Sequence, residues 1–188
     1  MAILVNSVNV VSDVVVEPVS LTDAKNWMRI TNYTTDDTLI QELIQSARKH
    51  IEFLCGVSFA SRVLKSNIET TGSVPYVWMI DVPYGPLKCV NEIKWKTGFN
   101  QYQILVKNDD YEIIGDKIWL YEQGNYIITY EAGYSLLPED IKNDILTLVS
   151  WMYQNRGKNF KGDQASALLK EYPTWDGLNY HQYKKVVI

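Results

Sequence analysis

The chain has 188 residues and a formal net charge of −4, a length that suits one domain able to bury roughly 70% of its unfolded surface without staples. That charge argues against a general nucleic-acid binder, which would present a basic face, but allows a surface past which DNA moves without sticking. Thirteen tyrosines and six tryptophans stand out; such amphipathic aromatics serve cores and interfaces alike.

Residues 1–17 read as irregular or strand-like, with Val14, Val15 and Val16 as the strongest β signal. The apolar start lacks a cationic region and a clear small-residue cleavage site, so it is not expected to be a signal peptide. No apolar run is long enough to span a membrane. Ser20 is a good N-cap, with Asp23 three residues on, and predicts a short helix to about Arg29. A polar break follows. Thr35, Asp36 and Asp37 then open a longer helix whose buried stripe is Leu39, Ile40, Leu43, Ile44, Ala47, Ile51 and Leu54. Arg48, Lys49 and His50 lie nearer its end, where cations suit the helix dipole. Gly56 is a natural terminator.

From residue 62 to 131 the apolar period becomes two. Candidate strands cover 62–69, 76–81, 90–95, 102–106, 111–114, 117–121 and 126–131. The two-residue link Gly115-Asp116 is the clearest tight hairpin. Short sequential strands with short turns predict an antiparallel meander. Gly133 breaks the last strand, and Pro138, Glu139 and Asp140 open a third helix carrying Ile141, Ile145, Leu148, Val149 and Met152 on one stripe. It ends at Arg156-Gly157. A basic loop follows, then a short fourth helix over 163–171, stopped by Pro173.

The predicted fold is therefore α+β and a single domain, 1–188. Residues 17–61 and 134–172 form a small helical bundle of two N-terminal helices, a long C-terminal helix and a short one. Residues 62–133 are an inserted antiparallel β meander, and 173–188 a C-terminal tail. The second helix is expected to pack on the third.

Signals for catalysis are weak. The two histidines are His50 and His181; His50 and Cys55, five apart, do not share a helical face well, which disfavours a Cys-His nucleophile pair. The adjacent acids Asp36-Asp37 and Glu139-Asp140 begin helices, and Asp109-Asp110 sits at a turn. Neighbouring carboxylates on a helix point apart and make no acid/base pair. There is no Gly-rich phosphate loop or nucleophile elbow. Cys55 and Cys89 have no zinc or disulfide spacing, so buried reduced thiols are expected. No cofactor or metal is implied. An enzyme is unsupported.

Binding signals are stronger. Arg156, Lys158 and Lys161 cluster around one loop. They can be a solvated cap on the third helix or a contact with an acidic partner or DNA phosphate. The tail, with Trp175, Leu178, Tyr180, Tyr183, Val186, Val187 and Ile188, is too apolar for a free disordered end. It either packs on its own domain or adds as a strand to a neighbour, the latter being the favoured reading.

Order and spacing then suggest a family. Glu17-Pro18-Val19-Ser20-Leu21-Thr22-Asp23-Ala24-Lys25, then Asp36-Asp37-Thr38-Leu39-Ile40, Ala47-Arg48-Lys49-His50-Ile51-Glu52 and Gly56, resemble the opening of the head–tail connector (adaptor) family of tailed double-stranded DNA bacteriophages. Tyr130-Glu131-Ala132-Gly133-Tyr134, Leu137-Pro138-Glu139-Asp140-Ile141, Trp151-Met152-Tyr153-Gln154-Asn155-Arg156 and Leu168-Leu169-Lys170-Glu171-Tyr172 resemble its second half. The resemblance covers about residues 17–172, and the β insert is similar to that of the longer members. The N-terminal extension and the tail beyond Tyr172 depart from it.

The resemblance implies a structural virion protein made in the host bacterial cytoplasm and placed in the neck. Such a protein forms a ring of about twelve subunits beneath the portal protein. It extends the channel for passing double-stranded DNA, without sequence-specific binding, and meets the next neck or tail-completion protein; no membrane is involved. On this reading Arg156, Lys158, Lys161, Trp175, Tyr180, Tyr183, Val186, Val187 and Ile188 are candidate partner or subunit contacts. Another phage neck, tail or packaging component, and less so a small enzyme using His50 or Cys55, stay open as alternatives.

Overall fold

In the computed structural model the described residues are 2–72, 77–157 and 180–183. They divide into two compact units: Met1–Val16 with Gly56–Ser135, and Glu17–Cys55 with Leu136–Ile188. Among the described residues the first unit holds all the strands and the second all the helices, an α+β composition. Against the expected helical core of 17–61 and 134–172, two stretches fall with the strands: residues 1–16, and residues 56–61 together with 134–135. The reason for the second is local burial. Val57, Ser58, Phe59 and Ala60 are buried, the Ser58 N–H donates to the carbonyls of Tyr84 and Gly85, and Phe59 stacks on Tyr134 with ring centroids 5.7 Å apart.

The β unit contains β1 (Ala2–Ser12), β2 (Arg62–Thr71), β3 (Trp78–Asp81), β4 (Leu87–Gly98), β5 (Gln101–Ile104), β6 (Tyr111–Ile114), β7 (Lys117–Leu120) and β8 (Gly124–Ala132). Every strand pair is antiparallel, as expected. The meander is not borne out. The main sheet has the order β1-β2-β8-β4-β5, and β3-β7-β6 make a second sheet. The last strand sits between β2 and β4, a non-local pairing that turn chemistry cannot announce. The Gly115-Asp116 hairpin is present, with Ile114 opposite Lys117.

Val14, Val15 and Val16 lie outside β1, and Val15 and Val16 are exposed. Strand propensity measures fit to a pleated, half-buried surface, and no strand lies beside them. The alternation of β8 is as expected: Tyr126, Ile128, Tyr130 and Ala132 are buried. They share a core with Leu64, Ile68, Ile80, Val82, Ile93, Ile118 and Leu120. The two tyrosines keep their hydroxyls satisfied inside, Tyr126 donating to the Glu122 carbonyl (2.6 Å) and Tyr130 to the Pro83 carbonyl (2.7 Å). Burial pushes both hydroxyl pKa values up. Cys55 is buried as expected, but Cys89 is exposed. Register shifts at Leu87/Cys89 and Val90/Glu92 turn that stretch of β4 out of simple alternation.

The helical unit contains α1 (Leu21–Met28), α2 (Asp37–Cys55), α3 (Glu139–Gln154) and a 3-10 helix at Tyr180–Tyr183. Ser20 and Asp23 form a complete capping box, because each side chain accepts from the other's backbone N–H. The Ser20 hydroxyl holds the Asp23 carboxyl below its ordinary pKa, with Lys142 assisting. Gly56 terminates α2 at φ 68°. α2 packs mainly on α3, as expected, and α1 lies against both. Ile40, Ile44, Ala47 and Ile51 form the buried stripe of α2, and Ile141, Ile145, Leu148 and Val149 that of α3. Met152 is only half-buried. The expected fourth helix over 163–171 lies outside the described residues.

Arg48 corrects another expectation. It does not serve the helix dipole at the surface but is fully buried. Its Nε and Nη2 donate to Glu17 at 2.7 and 3.0 Å, and its Nη1 to Glu52 at 2.7 Å. Burial alone would lower the guanidinium pKa, yet the hydrogen bonds and charge of the two carboxylates more than reverse that. The network anchors Glu17, where the chain enters the helical unit.

Candidate assembly surfaces

The helical unit builds a corner where α1 ends, α2 begins and α3 ends. Arg29 closes α1 in the left-handed conformation (φ 59°), its N–H donating to the Asn26 carbonyl. Asp36 precedes α2. Tyr153 lies in the last turn of α3 and donates its hydroxyl to Asp36 Oδ2 at 2.7 Å. That bond is the main cause of the raised Tyr153 pKa, because the proton is shared with a carboxylate. The Arg156 guanidinium stacks 3.7 Å above the Tyr153 ring. It donates to the Tyr153 carbonyl at 2.6 Å and reaches Asp36 at 3.3 Å. Arg29, Tyr33, Tyr153 and Arg156 are among the residues lining an open groove of about 560 Å³. Arginine and tyrosine are among the side chains enriched at protein interfaces.

Arg156 is therefore the one described member of its predicted basic cluster, and it sits in a preorganised aromatic setting. Lys158 and Lys161 lie outside the described residues, as do Trp175, Val186, Val187 and Ile188. Tyr180 opens the 3-10 helix. The tail is expected either to pack on its own domain or to add as a strand to a neighbour. Its described residues, 180–183, form this helix, which packs on α2 and α3. The Tyr183 hydroxyl donates to the Asp140 carboxylate at 2.9–3.0 Å, and Gln182 bonds the same group. Asp140 is at the start of α3 and Arg156 just past its end. A helix of 16 residues is about 24 Å long, so the two predicted surfaces are separate. No local sequence pattern marks Arg29, Tyr33 and Tyr153 as neighbours, because helix packing brings them together.

On the β unit, Lys88 donates to Ser61 and Glu131 at 2.8 Å each, and Ser61 bonds Glu131. The Lys88 and Ser61 hydrogen bonds hold the Glu131 carboxyl below its ordinary value. Among the described residues no group of His, Cys, Asp and Glu could hold a metal ion, and no helix is long and apolar enough to cross a membrane.

The sequence model of the Head completion protein family matches residues 17–167. The chain belongs to the Head completion protein family. This bears out the connector resemblance and the expectation that the chain is not an enzyme, since the family is one of structural virion proteins. Comparison with curated proteins returned no match. Among solved structures, this family member is similar to a chain in the neck of an empty GTA particle computed with C6 symmetry. The TM-score is 0.68 at 15% identity, covering 97% of each chain. A chain in the neck of a native GTA particle computed with C12 symmetry gives 0.66 at 15%, again covering 97% of each. A chain in the virion of a native gene transfer agent particle gives 0.63 at 16%, covering 88% of this chain and 94% of that one. At these identities the likeness shows a shared fold.

Proposed function

We propose that this chain is a head–tail connector. It forms a ring in the virion neck beneath the portal protein, extends the DNA channel and receives the next neck or tail-completion protein. The observation that carries this reading is the family match over residues 17–167, supported by the likeness to chains from GTA necks. We take the ring to have twelve copies, by analogy with the C12 neck. The physical character of the chain agrees. A net charge of −4 lets double-stranded DNA pass without capture. Ring closure requires heterologous contacts, two different patches on each copy. Arg156 in its groove and Tyr183 at the start of α3 are candidates for such contacts or for the portal. Lys158, Lys161, Trp175, Tyr180, Val186, Val187 and Ile188 remain candidates on sequence grounds. The protein is made in the host bacterial cytoplasm before incorporation.

The test is direct. The purified chain is mixed with its portal at micromolar concentration and examined by electron microscopy and native mass. Rings stacked coaxially on portals are expected. Free chains beside bare portals would sink the proposal, and binding to a tail protein but never to a portal would favour a different neck or tail component.

A further inference from the structure

We infer that the main sheet continues from copy to copy: the free side of β1 in one chain pairs with the free side of β5 in the next. This rests on the ring reading and names its subunit contact. β1 and β5 are the two edges of the five-stranded sheet. Among the described residues each edge strand leaves a row of backbone N–H and C=O groups without a ladder partner, and soluble proteins usually protect such rows with charges, proline, bulges or short length. Here neither charge nor proline protects them, although β5 is short and β1 carries two irregularities. The chain is 21% charged, yet residues 1–12 and 97–106 contain no Asp, Glu, Lys, Arg, His or Pro. Apolar side chains stand exposed along both edges: Leu4 at 50% and Val10 at 54% on β1, Ile104 at 59% on β5, and Phe99 at 91% on the hairpin before β5. The two edges match in lack of charge, and the shorter one fits within a regular stretch of the longer. Irregularities divide β1 into the regular stretches Ala2–Val5 and Ser7–Val10, each as long as the four residues of β5.

Direction supports head-to-tail pairing. With five strands and antiparallel neighbours throughout, β1 and β5 run the same way. A copy related by rotation about a ring axis therefore brings β5 beside the next β1 in parallel. A two-fold dimer would instead pair β1 with β1 in antiparallel fashion and leave β5 bare.

Two blocked variants test this, each checked for folding by far-UV circular dichroism and thermal unfolding. One carries Leu4→Lys and Val10→Lys on β1; the other carries Tyr102→Lys and Ile104→Lys on β5. Each alone is expected to weaken ring formation, in solution by native mass and on portals by microscopy, by roughly tenfold or more through lost cross-strand apolar pairs. Mixed, the two should recover pairs but not rings, since only one intact edge of each remains. Normal rings from either variant on portals would overturn edge pairing while leaving the connector reading intact. Unimpaired self-association of the β5 variant alone would assign the contact to β1–β1 and also overturn it. If the unaltered chain forms no ring on portals, the connector reading fails first and this inference with it.

Discussion

Arg48 shows what one residue can decide. In sequence it is the first of three consecutive basic residues near a helix end, a pattern that suits solvent and dipole. In the fold it is fully buried between Glu17 and Glu52. A buried ion network adds little over apolar packing, but removing one member strands the others without a counter-charge. Arg48→Met is therefore expected to destabilise the helical unit by about 3–5 kcal/mol, measured by urea denaturation followed at 222 nm. Adding Glu17→Gln and Glu52→Leu should recover much of that loss, because no uncompensated charge then remains. A triple variant no better than the single one would show that Arg48 acts through shape rather than charge. Arg156 is the contrasting case: its ring stack and its contact with Asp36 are at the surface, where an ion pair contributes little stability. Arg156→Ala is thus expected to leave the stability of the helical unit nearly unchanged.

Among the elements, local chemistry and long-range packing contribute differently. The Ser20–Asp23 box and Gly56 bound their helices as expected because capping satisfies backbone groups within one turn. Gly133 is also a local signal, but its reason is tertiary. It adopts φ +132°, and a Cβ there would lie 2.5 Å from the Ala60 carbonyl oxygen, while its N–H donates to the Pro86 carbonyl at 3.0 Å. The residue joins three segments of the β unit, not merely a strand to a helix. Gly133→Ala should cost at least about 1–3 kcal/mol, the usual penalty for a non-glycine residue in such a conformation, with the backbone clash added. Chemical denaturation followed by tryptophan fluorescence would measure it; an unchanged midpoint would show that the backbone yields without cost.

For the whole molecule, the two units place the candidate surfaces on different supports: the Arg156 groove and Tyr183 on helices, the β1 and β5 edges on the sheet. This separation suits a ring component, which must meet copies of itself and unlike partners with different patches. The tail tests the assignment. Deleting residues 174–188 removes the bonds of Tyr183 and Gln182 to Asp140, so a loss of about 1.5–3 kcal/mol is expected, the scale of a hydrogen bond to a charged group. Both units should stay folded, with normal far-UV circular dichroism, while portal binding is abolished. Loss of helical signal would put the tail in the core; full portal binding by the truncated chain would remove the tail from the list of contacts.

The sequence by itself determined the helices α1, α2 and α3 and the strands β2 to β8. Ser20, Gly56 and Pro138 punctuate helices through interactions a few residues long, and the alternation of Tyr126, Ile128 and Tyr130 records a strand with one buried face. It also carried the order of motifs by which the family is recognised. Only the tertiary structure decided that β8 lies between β2 and β4, that the uncharged start of the chain is an edge strand, and that Arg29, Tyr33, Tyr153 and Arg156 share one groove. Capping and alternation are properties of neighbouring residues, whereas strand order and surface juxtaposition join residues as distant as Asp36 and Arg156. Those partners are selected by packing and charge compensation across the fold, which no local pattern encodes.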